Sequence, residues 1–263
     1  MLFRSGSIIA NKNTGEISVV KGTNIEASDS LVTNNAVLSN KDGTGILGRN
    51  TEIINNGNLQ IEKGTGISAL SNSLLTNSAE INVTTEGTGI KASNSEINNN
   101  SNGTITVTKG VNIDLSESVL ENAALLSNSD GIGIKADNST VKNTGNIDIT
   151  NGTAIEALNN SSVLNTAYLK SGNTGINTSN SILLNEGKID AAETGIYASD
   201  NIKTVNTGEI KGKTGVEIIS GTEEYSGHFL NTGKKNKGGE EKMRLDKFLK
   251  VSRLIKRRTV ANE

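Results

Sequence analysis

Few residues in this chain could do chemistry, and their spacing decides what chemistry that would be. Three aspartates, Asp29, Asp137 and Asp200, share a turn position in a repeating pattern. Carboxylates grouped on neighbouring segments could share a proton or assist hydrolysis. The equivalent turns elsewhere carry Asn72, Asn94, Asn160 and Asn180. Asn and Asp both suit tight turns, so this column reads as turn preference; no column gathers acids on successive repeats. His228 is the single histidine and has no companion at ligand or triad spacing, which points to a solvated loop. The Gly-x-Gly elements lack the following helix that a phosphate cradle needs. Thr104, Thr106 and Thr108 form one flat hydroxyl face that other repeats do not continue, which disfavours ice binding. Without cysteine there is no disulfide framework and no thiolate metal site. What remains is a basic set near the C-terminus, Arg253, Lys256, Arg257 and Arg258, suited to phosphate contact. The expectation is no catalytic residue, no metal site and no cofactor.

These residues sit on a strict repeat. The apolar residues closing each Gly-x-Gly-Ile-like element are Ile25, Ile46, Ile67, Ile90, Ile113, Ile134, Ile155, Ile176, Ile196 and Val216, at intervals of 20 to 23 residues. Repeats of this length mean a solenoid. Each unit holds three alternations, for example Ile81/Val83, Ile90/Ala92 and Ser95/Ile97/Asn99. Period two means strand, and the Gly-Thr, Ser-Asn and Asn-Gly pairs between them are turn chemistry. Three short strands per unit describe one coil of a right-handed parallel β-helix, an all-β rod of about ten coils. A leucine-rich-repeat solenoid is the runner-up, but it would show one strand per repeat. One recurring asparagine, from Asn34 through Asn99 to Asn206, is expected to face inward at a corner and bond its amide to the next coil.

Composition agrees with a thin core. Apolar residues make up 33% of the chain and aromatics 2%, so small aliphatics must fill the interior. No apolar run approaches the roughly 20 residues of a membrane helix. Charge is uneven: residues 234–263 hold eleven Lys/Arg against four Asp/Glu, whereas the preceding chain is acidic.

Units such as GTGIKASNSEINNNSNGTITVTKG, Gly87 to Gly110, resemble the passenger repeats of bacterial autotransporter adhesins, especially the Asn-rich fusobacterial type. The resemblance spans residues 6–233. It implies a rod on the cell surface, secreted through a C-terminal outer-membrane β-barrel that this chain does not contain. Its partners would be a host or bacterial surface receptor or glycan. The reading is therefore a structural and adhesive rod without catalysis. A β-helical carbohydrate-active enzyme and an RNA-binding protein with a repeat extension are the alternatives.

Both ends read differently from the rod. Leu2-Phe3-Arg4-Ser5 is encoded by CTCTTCCGATCT, the end of a common sequencing adapter, and MLFRSGSIIANK is too short in apolar residues for a signal peptide. A truncated N-terminus is expected. At the other end, residues 234–242 read as translated intergenic sequence, since Lys-Gly-Gly can be encoded by a ribosome-binding sequence ahead of Met243. From Met243 the spacing of Leu245, Phe248, Leu249, Leu254 and Ile255 predicts a short basic helical tail over residues 243–263. RLDKFL followed by SRLIKRRTVA resembles the opening of ribosomal-protein-S-four-type RNA-binding domains. That resemblance implies RNA contact through Arg253, Lys256, Arg257 and Arg258.

Overall fold

The computed structural model describes residues 2–3, 6–12, 14–219 and 228–231. They form a parallel β-solenoid of about ten coils, with no helix among them. Every strand pairs in parallel with the equivalent strand one coil away. The result is a 14-stranded and an 11-stranded sheet running the length of the rod. Coils about 4.8 Å apart make a rod roughly 45–50 Å long.

The alternation of small aliphatics explains the strands, and glycine explains their length. Three separate strands per coil are expected from the sequence, but in the first seven full coils two of them are continuous. They run as Ile17–Ser28, Leu38–Arg49, Leu59–Leu70, Ile81–Ser93, Ile105–Ser116, Leu126–Asp137 and Ile147–Leu158. Each bends at a positive-φ glycine, from Gly22 (φ 103°) to Gly152 (φ 136°). Only a residue without Cβ turns there while its backbone stays in the ladder. Beyond that point the chain drops one residue: Ile149 to Thr153 becomes Ser171 to Thr174, and the pairs Ile149↔Ser171 and Thr153↔Thr174 still hold. Here the strand breaks in two, as Tyr168–Ser171 and Thr174–Ser179. The third strand of each coil is short throughout, as in Glu96–Asn99 and Val119–Asn122.

Stacking in register turns each inward position into a column. The isoleucines that define the repeat lie directly over one another, as in Ile90↔Ile113↔Ile134, and are fully buried. Opposite them run Ile53, Leu75, Ile97, Leu120 and Val141, also buried. A single coil has almost no interior of its own, so its apolar side chains are buried chiefly by the coils on either side. Truncating one therefore leaves a hole that two neighbours share. We expect Ile113→Ala to cost about 2–5 kcal/mol of unfolding free energy, the range for buried Ile-to-Ala changes. A shift in the urea midpoint at unchanged slope would measure it.

Candidate functional site

The corners of the coils hold nearly all the buried polar chemistry. At the first corner the expected asparagine column is an unbroken amide ladder. Each Nδ2 donates to the Oδ1 one coil on, from Asn11 through Asn34, Asn55, Asn77, Asn99, Asn122, Asn143, Asn165 and Asn185 to Asn206, at 2.7–2.8 Å. From Asn34 onward these side chains are at most 1% exposed. Several use the second amide hydrogen on a backbone carbonyl two residues ahead, such as Asn122 on Ala124 at 3.1 Å and Asn143 on Gly145 at 2.9 Å. The backbone register extends the column to Asn231, opposite Asn206.

A second ladder occupies the corner between the long and short strands. The Ser73 N–H donates to Ser95 Oγ at 3.1 Å, Ser95 to Ser118 at 3.2 Å, Ser118 to Ser139 at 3.0 Å and Ser139 to Ser161 at 3.1 Å. The same hydroxyls donate back to a carbonyl two or three residues earlier, as Ser118 does to Ser116 at 2.7 Å. Each serine thus ties its own turn and the next coil together. The sequence pattern shows the serine but not that its oxygen faces a neighbour's amide.

Just before this serine the chain passes through the left-handed region. Asp29, Asn50, Asn94, Glu117, Asn138, Asn180 and Asp200 have φ of 46–51°, and Ser71/Asn72 and Asn159/Asn160 form two-residue versions. Asp29 and Asp200 are therefore turn residues, as expected. Asp137 is not: it lies one position earlier, in the strand column opposite Ser116 and Leu158, and Asn138 makes the turn. The motif Ala-Asp-Asn-Ser has its acid displaced by one residue relative to Ala-Ser-Asp-Ser, and pairing reveals the offset. The side chains at this corner pair on the exposed surface, as Asn50 does with Asp29 at 2.7 Å and Asn159 with Asp137 at 2.8 Å.

Among the described residues polar clusters also penetrate the core, one of them Asn201 with Thr178 and Thr204 and two of them pairs of asparagines. At the position of the second Gly in Gly-x-Gly-Ile most coils have Gly, and an added Cβ would meet an aliphatic side chain of the next coil: Ile61 at Gly45, Ile81 at Gly66 and Ile149 at Gly133. A Cβ on Gly133 would lie 2.7 Å from Ile147 Cγ2 and 3.3 Å from Ile149 Cδ1. Where this position is Asn24 or Asn112, the facing residue is also asparagine, Asn40 or Asn128. Asn40 Nδ2 donates to Asn24 Oδ1 at 2.6 Å, and Asn128 Nδ2 to Asn112 Oδ1 at 3.1 Å. Both lower amides also reach the glycine-corner carbonyls, Gly22 and Gly110. All four are at most 3% exposed. The second asparagine of each pair supplies the donor that the buried Oδ1 of the first, Asn24 or Asn112, would otherwise lack.

The other candidates are not brought together. His228 opens the strand His228–Asn231 beside Lys203 rather than lying in a loop, since the short-strand column continues through it. Thr106 stands between Asn82 and Ser127, so no threonine face continues across the coils. Arg253, Lys256, Arg257 and Arg258, the linker over 234–242 and the tail lie outside the described residues. Among the described residues no three His, Cys, Asp or Glu gather where they could hold a metal ion.

No family model matches the chain, and neither the curated proteins nor the solved structures compared with it give a match. The described residues form a parallel β-solenoid of stacked repeats, with the geometry of a structural rod.

Proposed function

We propose that this chain is a length of a bacterial surface-displayed passenger of autotransporter type, a structural and adhesive rod without catalysis. The observation that carries this reading is the continuity of the stack. The amide ladder runs through ten coils from Asn11 to Asn206 without a gap, and the described corners between coils close in a few residues. A catalytic β-helix builds its cleft from long excursions at the corners, together with acids on adjacent coils. Here the longest described corner, between Asn99 and Ile105, is folded back by a Gly103 N–H to Asn100 carbonyl bond of 2.7 Å. The resemblance of its repeats to autotransporter adhesins supplies the location and the partner class. The rod would stand on the cell surface, reach it through an outer-membrane β-barrel on another part of the protein, and present its faces to a receptor or glycan.

The test is display. Residues 6–233 placed between an export signal and an outer-membrane β-barrel should become accessible to external protease on intact Gram-negative cells. Those cells should attach to host-cell or glycan surfaces above a barrel-only control. Failure of export, attachment equal to the control, or depolymerisation of a panel of polysaccharides would each overturn the reading.

A further inference from the structure

The outward faces of the coils carry a pattern that the core does not require. In one column, at the glycine corner, Lys21 faces Asp42, Asp42 faces Lys63, Lys63 faces Glu86 and, beyond a register shift, Lys109 faces Asp130, each pair opposite in sign. A second reads Lys91, Asp114, Lys135, Glu156, and a third Asp148, Lys170, Asp190, Lys211. Glu121↔Lys142 and Lys188↔Glu209 follow the same rule. Within the paired strands of the described residues, every Asp, Glu, Lys or Arg directly opposite another such residue meets the opposite sign. Some pairs close into ion pairs, at 3.1 Å for Lys142–Glu121, 3.2 Å for Lys170–Asp148 and 3.1 Å for Lys211–Asp190. Others are exposed without closing. Exposed ion pairs add little stability, so a rule kept so widely needs another reason.

Register supplies that reason. A slip by one residue would turn the apolar positions out to water, and the core forbids it. A slip by one whole coil is different, because the repeats are nearly alike inside. If a coil is looped out, isoleucine still lies over isoleucine and the corner asparagine over asparagine. The outward charges do not survive this. Skipping one coil sets Lys21 on Lys63, Asp42 on Glu86, Lys91 on Lys135, and Asp148 on Asp190. Like charges directly opposite one another are unfavourable, and the penalty falls at the interface where the coil is skipped. We infer that sign alternation between adjacent coils is a register code, which selects the neighbouring coil and rejects the next but one during folding.

Coils 1 to 3 suit the test, because among their paired positions only the glycine-corner column sets charge directly opposite charge, and the diagonal Arg49–Glu26 ion pair is left unchanged in every variant. The exchange Asp42→Lys with Lys63→Asp keeps composition and net charge. It makes Lys21 and position 42 alike, makes position 63 and Glu86 alike, and makes the skipped pair of Lys21 with position 63 opposite. An inverted control changes all six column residues in sign and keeps the alternation. The reporter is Ser18→Cys with Gln60→Cys in the full chain, which is otherwise free of cysteine. Ser18 and Gln60 both pair with Ser39, so in the native stack they lie two coils apart, roughly 9.5 Å and beyond disulfide reach. They become neighbours only if the coil between them is skipped. After dilution from urea into an oxidising thiol buffer, the intramolecular disulfide is quantified by mass. The exchanged chain should cross-link at least tenfold more than the parent, and the inverted chain no more than the parent. Cross-linking of the exchanged chain at the parental level would overturn the code, whatever its effect on stability. So would equal cross-linking of the exchanged and inverted chains.

Discussion

Asn122→Ala should lower the unfolding free energy by about 3–5 kcal/mol, far more than loss of one amide on the surface. Asn122 is 1% exposed and serves three groups at once. Its Oδ1 accepts Asn99 Nδ2 at 2.7 Å, and its Nδ2 donates to Asn143 Oδ1 at 2.8 Å and to Ala124 O at 3.1 Å. Alanine would remove all three and leave a donor above and an acceptor below, buried with nothing to bond. Each orphaned group costs about 1–3 kcal/mol, because no water replaces the lost partner. Asn56 provides the control. It makes a similar amide bond between coils to Asn35 at 2.9 Å but is exposed, so Asn56→Ala should stay within about 0.5 kcal/mol. Urea unfolding of both variants measures the contrast. Equal effects would show that the ladder adds nothing beyond an ordinary surface contact.

Gly110→Ala is expected to destabilise by about 3–5 kcal/mol and to loosen the stack around coil 5. Gly110 has φ 124°, where an L side chain is strained, and an added Cβ would overlap the Gly87 carbonyl of the preceding coil. Neither coil can move without opening the ladder that both share. Gly22 separates the two causes. It has a comparable φ of 103° but nothing within 4 Å of the added Cβ, so Gly22→Ala should cost only the backbone strain, about 1–3 kcal/mol. Hydrogen exchange should show faster opening of the Gly110 and Gly87 strands in the first variant and not in the second. If both glycines respond alike, close coil-to-coil approach is not what selects glycine at this corner.

Much of the architecture is legible in the sequence. Isoleucine at intervals of 20 to 23 residues, alternation in short runs and a recurring corner asparagine were enough for a coil, its approximate number and an inward amide column. Each of these is a local pattern repeated. The continuous bent strand was not legible, because Gly-Thr reads as a break in any one unit. It becomes a bend only because the glycine stays paired with its equivalents above and below, as Gly110 does with Gly87 and Gly131. Asp137 is ambiguous for a related reason: Asp and Asn are interchangeable as turn residues in a string, and only the pairing of Asp137 with Ser116 removes the ambiguity.

By itself, then, the sequence determined the coil: which residues face in, where the chain turns and that the units must stack. Those properties follow from periodicity and turn chemistry acting over fewer than two dozen residues. Only the tertiary structure decided what meets what between coils. The serine ladder, the coupling of Asn24 with Asn40 and of Asn112 with Asn128, and the opposition of Lys63 to Glu86 link residues 16 to 23 positions apart. Insertions of one or two residues change that distance from coil to coil, so no fixed spacing in the string reveals these partners. Backbone hydrogen bonding sets the register, and the register gives each side chain its neighbour.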